Sequence, residues 1–178
     1  MAFEPLEVLP GVWHIRDVMG VCMTLLVGSD RALLVDTGYG LEDPSAFVLS
    51  LMDRPLQVML THGHHDHALG ARWFDQVSIF PEDLSVYRQY TGRLWRNNVL
   101  NSARERQLNL DGEAFLSAPM PEPAVLTEGE LSLGGLTARI LSCPGHTPGS
   151  AVVFVPELAL LLTGDDWNPC TWLFFPEA

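Results

Sequence analysis

Short apolar runs, punctuated by glycine, proline and polar turns, dominate the first third of the chain. Val12-Trp13-His14-Ile15, Cys22 to Val27 and Ala32 to Val35 are aliphatic or β-branched stretches of strand length. Gly28-Ser29-Asp30 between two of them reads as a hairpin turn. After Val35 comes a polar, glycine-rich loop, Asp36-Thr37-Gly38-Tyr39-Gly40. Phe47, Val48, Leu51 and Met52 then recur at helical spacing behind Pro44, which suits a helix start. Gln57 to Leu60 predicts a buried strand, Ala68 to Phe74 the beginning of a helix, and Val77 to Phe80 another strand. From Pro81 to about Val99 the pattern predicts a helix with Leu84, Tyr87, Leu94 and Trp95 on one face. Pro119 to Pro123 predicts an extended connector. Strands resume at Leu131 to Leu133 and, after Gly134-Gly135, at Leu136 to Leu141. Ala151 to Val155 and Leu158 to Leu162 predict a second hairpin, turned at Pro156-Glu157. This order predicts mixed sheets covered by helices.

Composition narrows the class. The chain has 178 residues, 47% of them hydrophobic and 18% charged, which predicts one folded domain over 1–178, with 81–123 as a variable helical and connector insertion. The formal net charge is -12, and every basic residue is an arginine. An acidic surface repels phosphate backbones, so nucleic acid is not an expected partner. Arg88, Arg93, Arg96, Arg104 and Arg106 cluster, and the expectation is a solvated helix face. Cys22, Cys143 and Cys170 are odd in number and widely spaced, which predicts reduced, mostly buried thiols in a cytoplasmic protein. The N-terminus has no signal-peptide pattern, and the apolar runs are too short to span a bilayer, so no membrane association is expected.

The chemistry is concentrated in one place. Four of the six histidines fall within His62-Gly63-His64-His65-Asp66-His67, directly after a buried strand. Imidazole and carboxylate are ligands shared by zinc, iron and manganese. A tight turn there aims His62 and His64 at one metal, and Asp66 and His67 at another. His146, in the loop Cys143 to Ser150, would complete the first site. Asp165, at the end of Leu158 to Leu162, would bridge the two; Asp166 is the competing choice.

At these residues the chain resembles the metallo-β-lactamase superfamily. The matching motifs are Leu33-Leu34-Val35-Asp36-Thr37-Gly38, Thr61-His62-Gly63-His64-His65-Asp66-His67, Pro144-Gly145-His146-Thr147-Pro148-Gly149-Ser150 and Leu162-Thr163-Gly164-Asp165, in that order. The resemblance implies an α+β fold, the αβ/βα sandwich, with metals in a groove along one edge of the two sheets. It implies His62, His64 and His146 on metal 1, Asp66 and His67 on metal 2, Asp165 between them, and Asp36 supporting the site from behind. His65 fills a variable position and is expected not to be a ligand. The cofactor implied is one or two zinc ions, with iron or manganese as alternatives.

One departure matters. The family usually supplies a further metal-2 histidine near the C-terminus, and no histidine follows His146 here. The second half of the fold reads as incomplete, with metal 2 weaker than metal 1. Cys170 is expected to be a structural thiol, and the run Trp172 to Phe175 an exposed patch that favours homo-oligomers. The implied activity is a hydrolase using a metal-bound hydroxide on a small ester, thioester or lactone, with Asp66 orienting the nucleophile. The rival readings are an iron-dependent oxidoreductase similar to persulfide dioxygenases and a non-catalytic metal-binding member.

Overall fold

The structure is a computed structural model that describes residues 2–167. Two sheets lie face to face. The first is built from β1 (Phe3–Leu9), β2 (Val12–Asp17), β3 (Cys22–Val27), β4 (Ala32–Val35), β5 (Leu56–Met59), β6 (Ser78–Ile79) and β7 (Ala124–Val125), in that spatial order. Strands β1 to β4 pair antiparallel and β4 to β7 parallel. The second sheet, ordered β11-β10-β9-β8, is an antiparallel meander of β8 (Gly129–Ser132), β9 (Thr137–Ser142), β10 (Ala151–Val155) and β11 (Leu160–Leu162).

The two-residue period of a strand explains the layers. In β4, Ala32 and Leu34 face the helical side, packing with Val48, Val58 and Tyr87. Leu33 and Val35 face the other way and join Met59, Ile140, Val153 and Val155 between the sheets. A strand covered on both faces reads as continuous apolar sequence, and β4 is buried at all four positions. The helices are α1 (Ser45–Ser50), α2 (His65–Ala68), α3 (Leu84–Tyr90), α4 (Arg93–Glu105) and α5 (Gly112–Ser117). On the far side of the second sheet, Leu141 and Leu161 remain exposed at 43% and 49%. Among the described residues, that face carries no covering layer of helices.

Several expectations are corrected. The stretch Pro81 to Val99 is not one helix: it is a 3-10 turn (Pro81–Asp83), then α3, a break at Thr91-Gly92, and α4. Leu94 is 70% exposed, and α4 instead buries Arg96, Val99, Leu100 and Ala103. Arg96 is no part of a solvated face. It is buried and donates to the carbonyls of Thr91, Phe115 and Ala118, so its charge closes helix and loop ends. Ala68 to Phe74 forms α2 followed by a 3-10 helix, Leu69–Trp73. The thiols are not mostly buried: Cys22 is exposed and Cys143 half-buried, while Cys170 and Trp172 to Phe175 lie outside the described residues. Among those residues, no helix is long and apolar enough to cross a membrane.

Candidate metal centre

Every candidate residue stands just beyond a strand end, where loops leave the sheets along one edge. Asp36 follows β4, Thr61 to His67 follow β5, His146 follows β9, and Asp165 follows β11. The two sheets meet at Thr61, whose carbonyl accepts from the Ala151 amide at 2.8 Å. Gly164 sits so close that a Cβ there would lie 2.8 Å from the Thr61 hydroxyl.

Two sets of donors converge. His62, His64 and His146 each offer a ring nitrogen, all within 4.8 Å of one another, and all three are buried. His62 Nε2 lies 3.1 Å from His64 Nδ1, and His146 Nε2 lies 3.0 Å from the same atom. The second set is His62, His67 and Asp165, so His62 stands between the two. The Asp165 carboxylate presents one oxygen to each: Oδ1 is 3.4 Å from His67 Nε2, and Oδ2 is 3.5 Å from His146 Nε2. Asp66 lies beside the second set, with Oδ2 3.7 Å from His67 Nε2 and Oδ1 3.4 Å from His65 Nδ1. This donor set suits a divalent ion, with imidazole and carboxylate groups converging from both sheets.

The surrounding groups hold these donors in place. Asp36 has φ of +65°, a left-handed conformation that aspartate tolerates better than most residues. Its carboxylate accepts from the Thr61 amide (2.7 Å) and hydroxyl, and pairs with His67 Nδ1 at 2.8 Å. With Nδ1 engaged, Nε2 of His67 is turned towards Asp165, the arrangement in which a carboxylate orients an imidazole ligand. Asp166, the weaker candidate for a bridge, accepts the His146 amide at 2.8 Å and so braces the loop that carries this histidine. His65 points away from both sets, between the rings of Tyr39 and Trp95. Tyr90 packs on His64 with centroids 4.3 Å apart and stacks on Trp95.

Electrostatics favours neutral imidazoles at His62 and His64. Burial, reinforced by charge on His67, His64 and His146, lowers His62 well below the ordinary histidine range. Burial and then His146 push His64 down to about 4. His67 is opposite: burial works against its charge, but Asp36, Asp165 and Asp66 outweigh it and raise its pKa well above normal. The hydrogen bond from His67 holds Asp165 below the usual carboxylate range. Burial opposes ionisation of Asp66, yet His65 and His67 prevail and keep it low.

Two supports were invisible in the sequence. One is Asp166 in its bracing role. The other is Asp83, fully buried, which accepts the amides of Gly63 at 2.6 Å and Gly149 at 2.9 Å. Spacing alone gives no sign of it, because its partners are 20 and 66 residues away.

An open groove of about 360 Å³ flanks the second set, lined among others by His14, Cys22, Asp66, His67, Leu161 and Asp165.

Comparison with known proteins gives the family. The acyl-coenzyme A thioesterase MBLAC2 of Gallus gallus is 28% identical over 165 residues, covering 84% of this chain and 59% of its own length. The probable metallo-hydrolase YqgX of Bacillus subtilis is 28% identical over 145 residues, covering 79% of this chain and 63% of its own. The crystal structure of a metallo-beta-lactamase family protein from Thermus thermophilus superposes with a TM-score of 0.55 at 26% identity, covering 89% of this chain and 60% of that one. The chain thus spans about three-fifths of the length of these relatives. The family model of the metallo-beta-lactamase superfamily matches residues 16–165, which contain every donor described above, and the chain belongs to that superfamily.

Proposed function

We propose that this chain carries the metal centre of a hydrolase acting on a small thioester, ester or lactone. The observation behind this reading is the convergence of His62, His64 and His146, with His67 and Asp165 alongside. His62, His64 and His146 would hold one ion; His67, Asp66 and Asp165 would hold a second, with Asp165 shared between them. A divalent ion held there would polarise a carbonyl oxygen and lower the pKa of coordinated water to near neutrality. Zinc is the ion proposed, with iron and manganese as alternatives that use the same ligands.

The remaining chemistry belongs to the side chains. Asp66 is half-buried and stays ionised, so it accepts a hydrogen bond from an attacking water and fixes its direction. Asp36 holds the proton on His67 Nδ1, so Nε2 is the atom that would meet an ion, in exchange for the proton it shares with Asp165. Tyr90 and Trp95, both half-buried, wall the site beside His64 and give an apolar substrate portion a surface to lie against. Among the acyl classes, the thioester is favoured by the thioesterase named among the relatives.

The test is metal analysis of the protein as purified, together with turnover on a panel of thioesters, esters and lactones. Hydrolysis by the parent protein, lost together with metal in His64→Ala and in Asp165→Ala, is the expected result. Unchanged metal content in both variants would sink the assignment. Iron with oxygen uptake would replace the hydrolase by an oxidoreductase.

A further inference from the structure

Two loops from different sheets supply the first donor set, and one carboxylate holds both. The loop after β5 carries His62 and His64 on either side of Gly63; the loop between β9 and β10 carries His146. Asp83 Oδ2 accepts the Gly63 amide at 2.6 Å and Oδ1 the Gly149 amide at 2.9 Å. Its side chain is fully buried. The glycines are what admit it. A Cβ at Gly63 would lie 2.3 Å from the Tyr87 amide nitrogen, and one at Gly149 would lie 2.6 Å from the amide nitrogen of Asp83 itself. The segment from Pro81 to Tyr90 therefore seats directly on both loops.

On the metal-centre reading above, we propose that Asp83 is a positioning residue for that centre: it fixes the distance between the His62-Gly63-His64 turn and the His146 loop. The chemistry of the group supports this. Two N–H donors from separate loops converge on one side chain, and a carboxylate accepts both because each oxygen has lone pairs and no proton. An amide of the same shape cannot. Its NH2 must face one of the two N–H groups, so one loop loses its anchor while the volume stays constant. Three imidazoles shared between two loops bind an ion tightly only if the loops keep their spacing. Partners that orient ligands in this way typically change metal affinity by about 10–100-fold when removed.

The experiment compares the parent protein with Asp83→Asn and His64→Ala, titrating each metal-free form with cobalt(II) and recording the visible absorption of the bound ion. The expected result is that Asp83→Asn, folded by circular dichroism at the assay temperature, binds cobalt about 10–100-fold more weakly with an altered band shape. Equal affinity and an identical spectrum, with only a lower melting temperature, would make Asp83 a purely structural residue and overturn the proposal. If His64→Ala also binds cobalt as the parent does, the metal-centre reading itself fails, which is a different result. Should Asp83→Asn not fold, amide hydrogen exchange on the metal-free parent decides. Slow exchange at both Gly63 and Gly149 supports the two anchors, and exchange at open-loop rates at either one overturns them.

Discussion

Asp36 combines three demands in a single residue: a left-handed backbone, an acceptor for Thr61 and a counter-charge for His67. Replacing it separates them. Asp36→Asn keeps the tolerance for positive φ and one acceptor oxygen, and is expected to cost about 1–3 kcal/mol. Asp36→Ala removes the counter-charge of the buried His67, as Asn does, and also the last acceptor for Thr61 and the tolerance for positive φ, and is expected to cost about 3–5 kcal/mol. Urea denaturation of the metal-free forms measures both, and equal losses would show that the charge, which both variants remove, is all that Asp36 contributes. The imidazoles set a second expectation at this scale. His62 and His64 resist protonation in the native state, so their contribution is complete above the unfolded histidine value of about 6.5 and is lost as pH falls towards 4. The raised pKa of His67 acts in reverse: its contribution is complete below about 6.5 and is lost as pH rises through the elevated native value. The melting temperature of the chelator-treated protein should therefore peak near pH 6.5, about the unfolded value, and a monotonic profile would contradict the paired shifts.

Among the elements, the contact between the segment after α2 and the loop after β4 governs the second donor set. Thr37 donates from its amide and its hydroxyl to the His67 carbonyl, each at 2.8 Å, and the Gly70 amide donates to the Gly38 carbonyl. A Cβ at Gly70 would sit 2.0 Å from the Thr37 carbonyl oxygen. Gly70→Ala should push that loop and Asp36 away from His67, costing about 1–3 kcal/mol and weakening the second ion more than the first, as seen by metal titration. Elements buried on both faces were legible in the sequence, as β4 and the end of β5 show, because burial leaves a continuous apolar run. Strand β1 was not. It is an edge strand in which only Phe3 is buried, so no alternation marks it. β7 was missed because two residues carry no period. At the site, the motif residues were legible because their chemistry is unusual in sequence. Asp83 and Arg96 were not, since their roles arise from backbone groups that only the tertiary fold brings near.

For the molecule as a whole, the candidate metal centre is a junction. The first sheet supplies His62, His64 and His67, and the second supplies His146 and Asp165. Binding that requires both sheets couples their stabilities. Zinc at a free concentration about 100-fold above its dissociation constant should add about 2.7 kcal/mol, raising the melting temperature by about 5–10 °C, and a scanning calorimeter with and without chelator measures it. The same division of donors has a consequence for biosynthesis. His62 to His67 leave the ribosome before the His146 loop and Asp165 exist, and at ordinary rates of translation the delay is about 5–20 s. During that interval the nascent chain would present a strip of four histidines to divalent ions that favour imidazole. The first sheet alone offers no third histidine from the opposite loop to select among ions. On the metal-centre reading, selection among ions would therefore wait until Asp165 emerges after β11 and the donors of the second sheet can join those of the first.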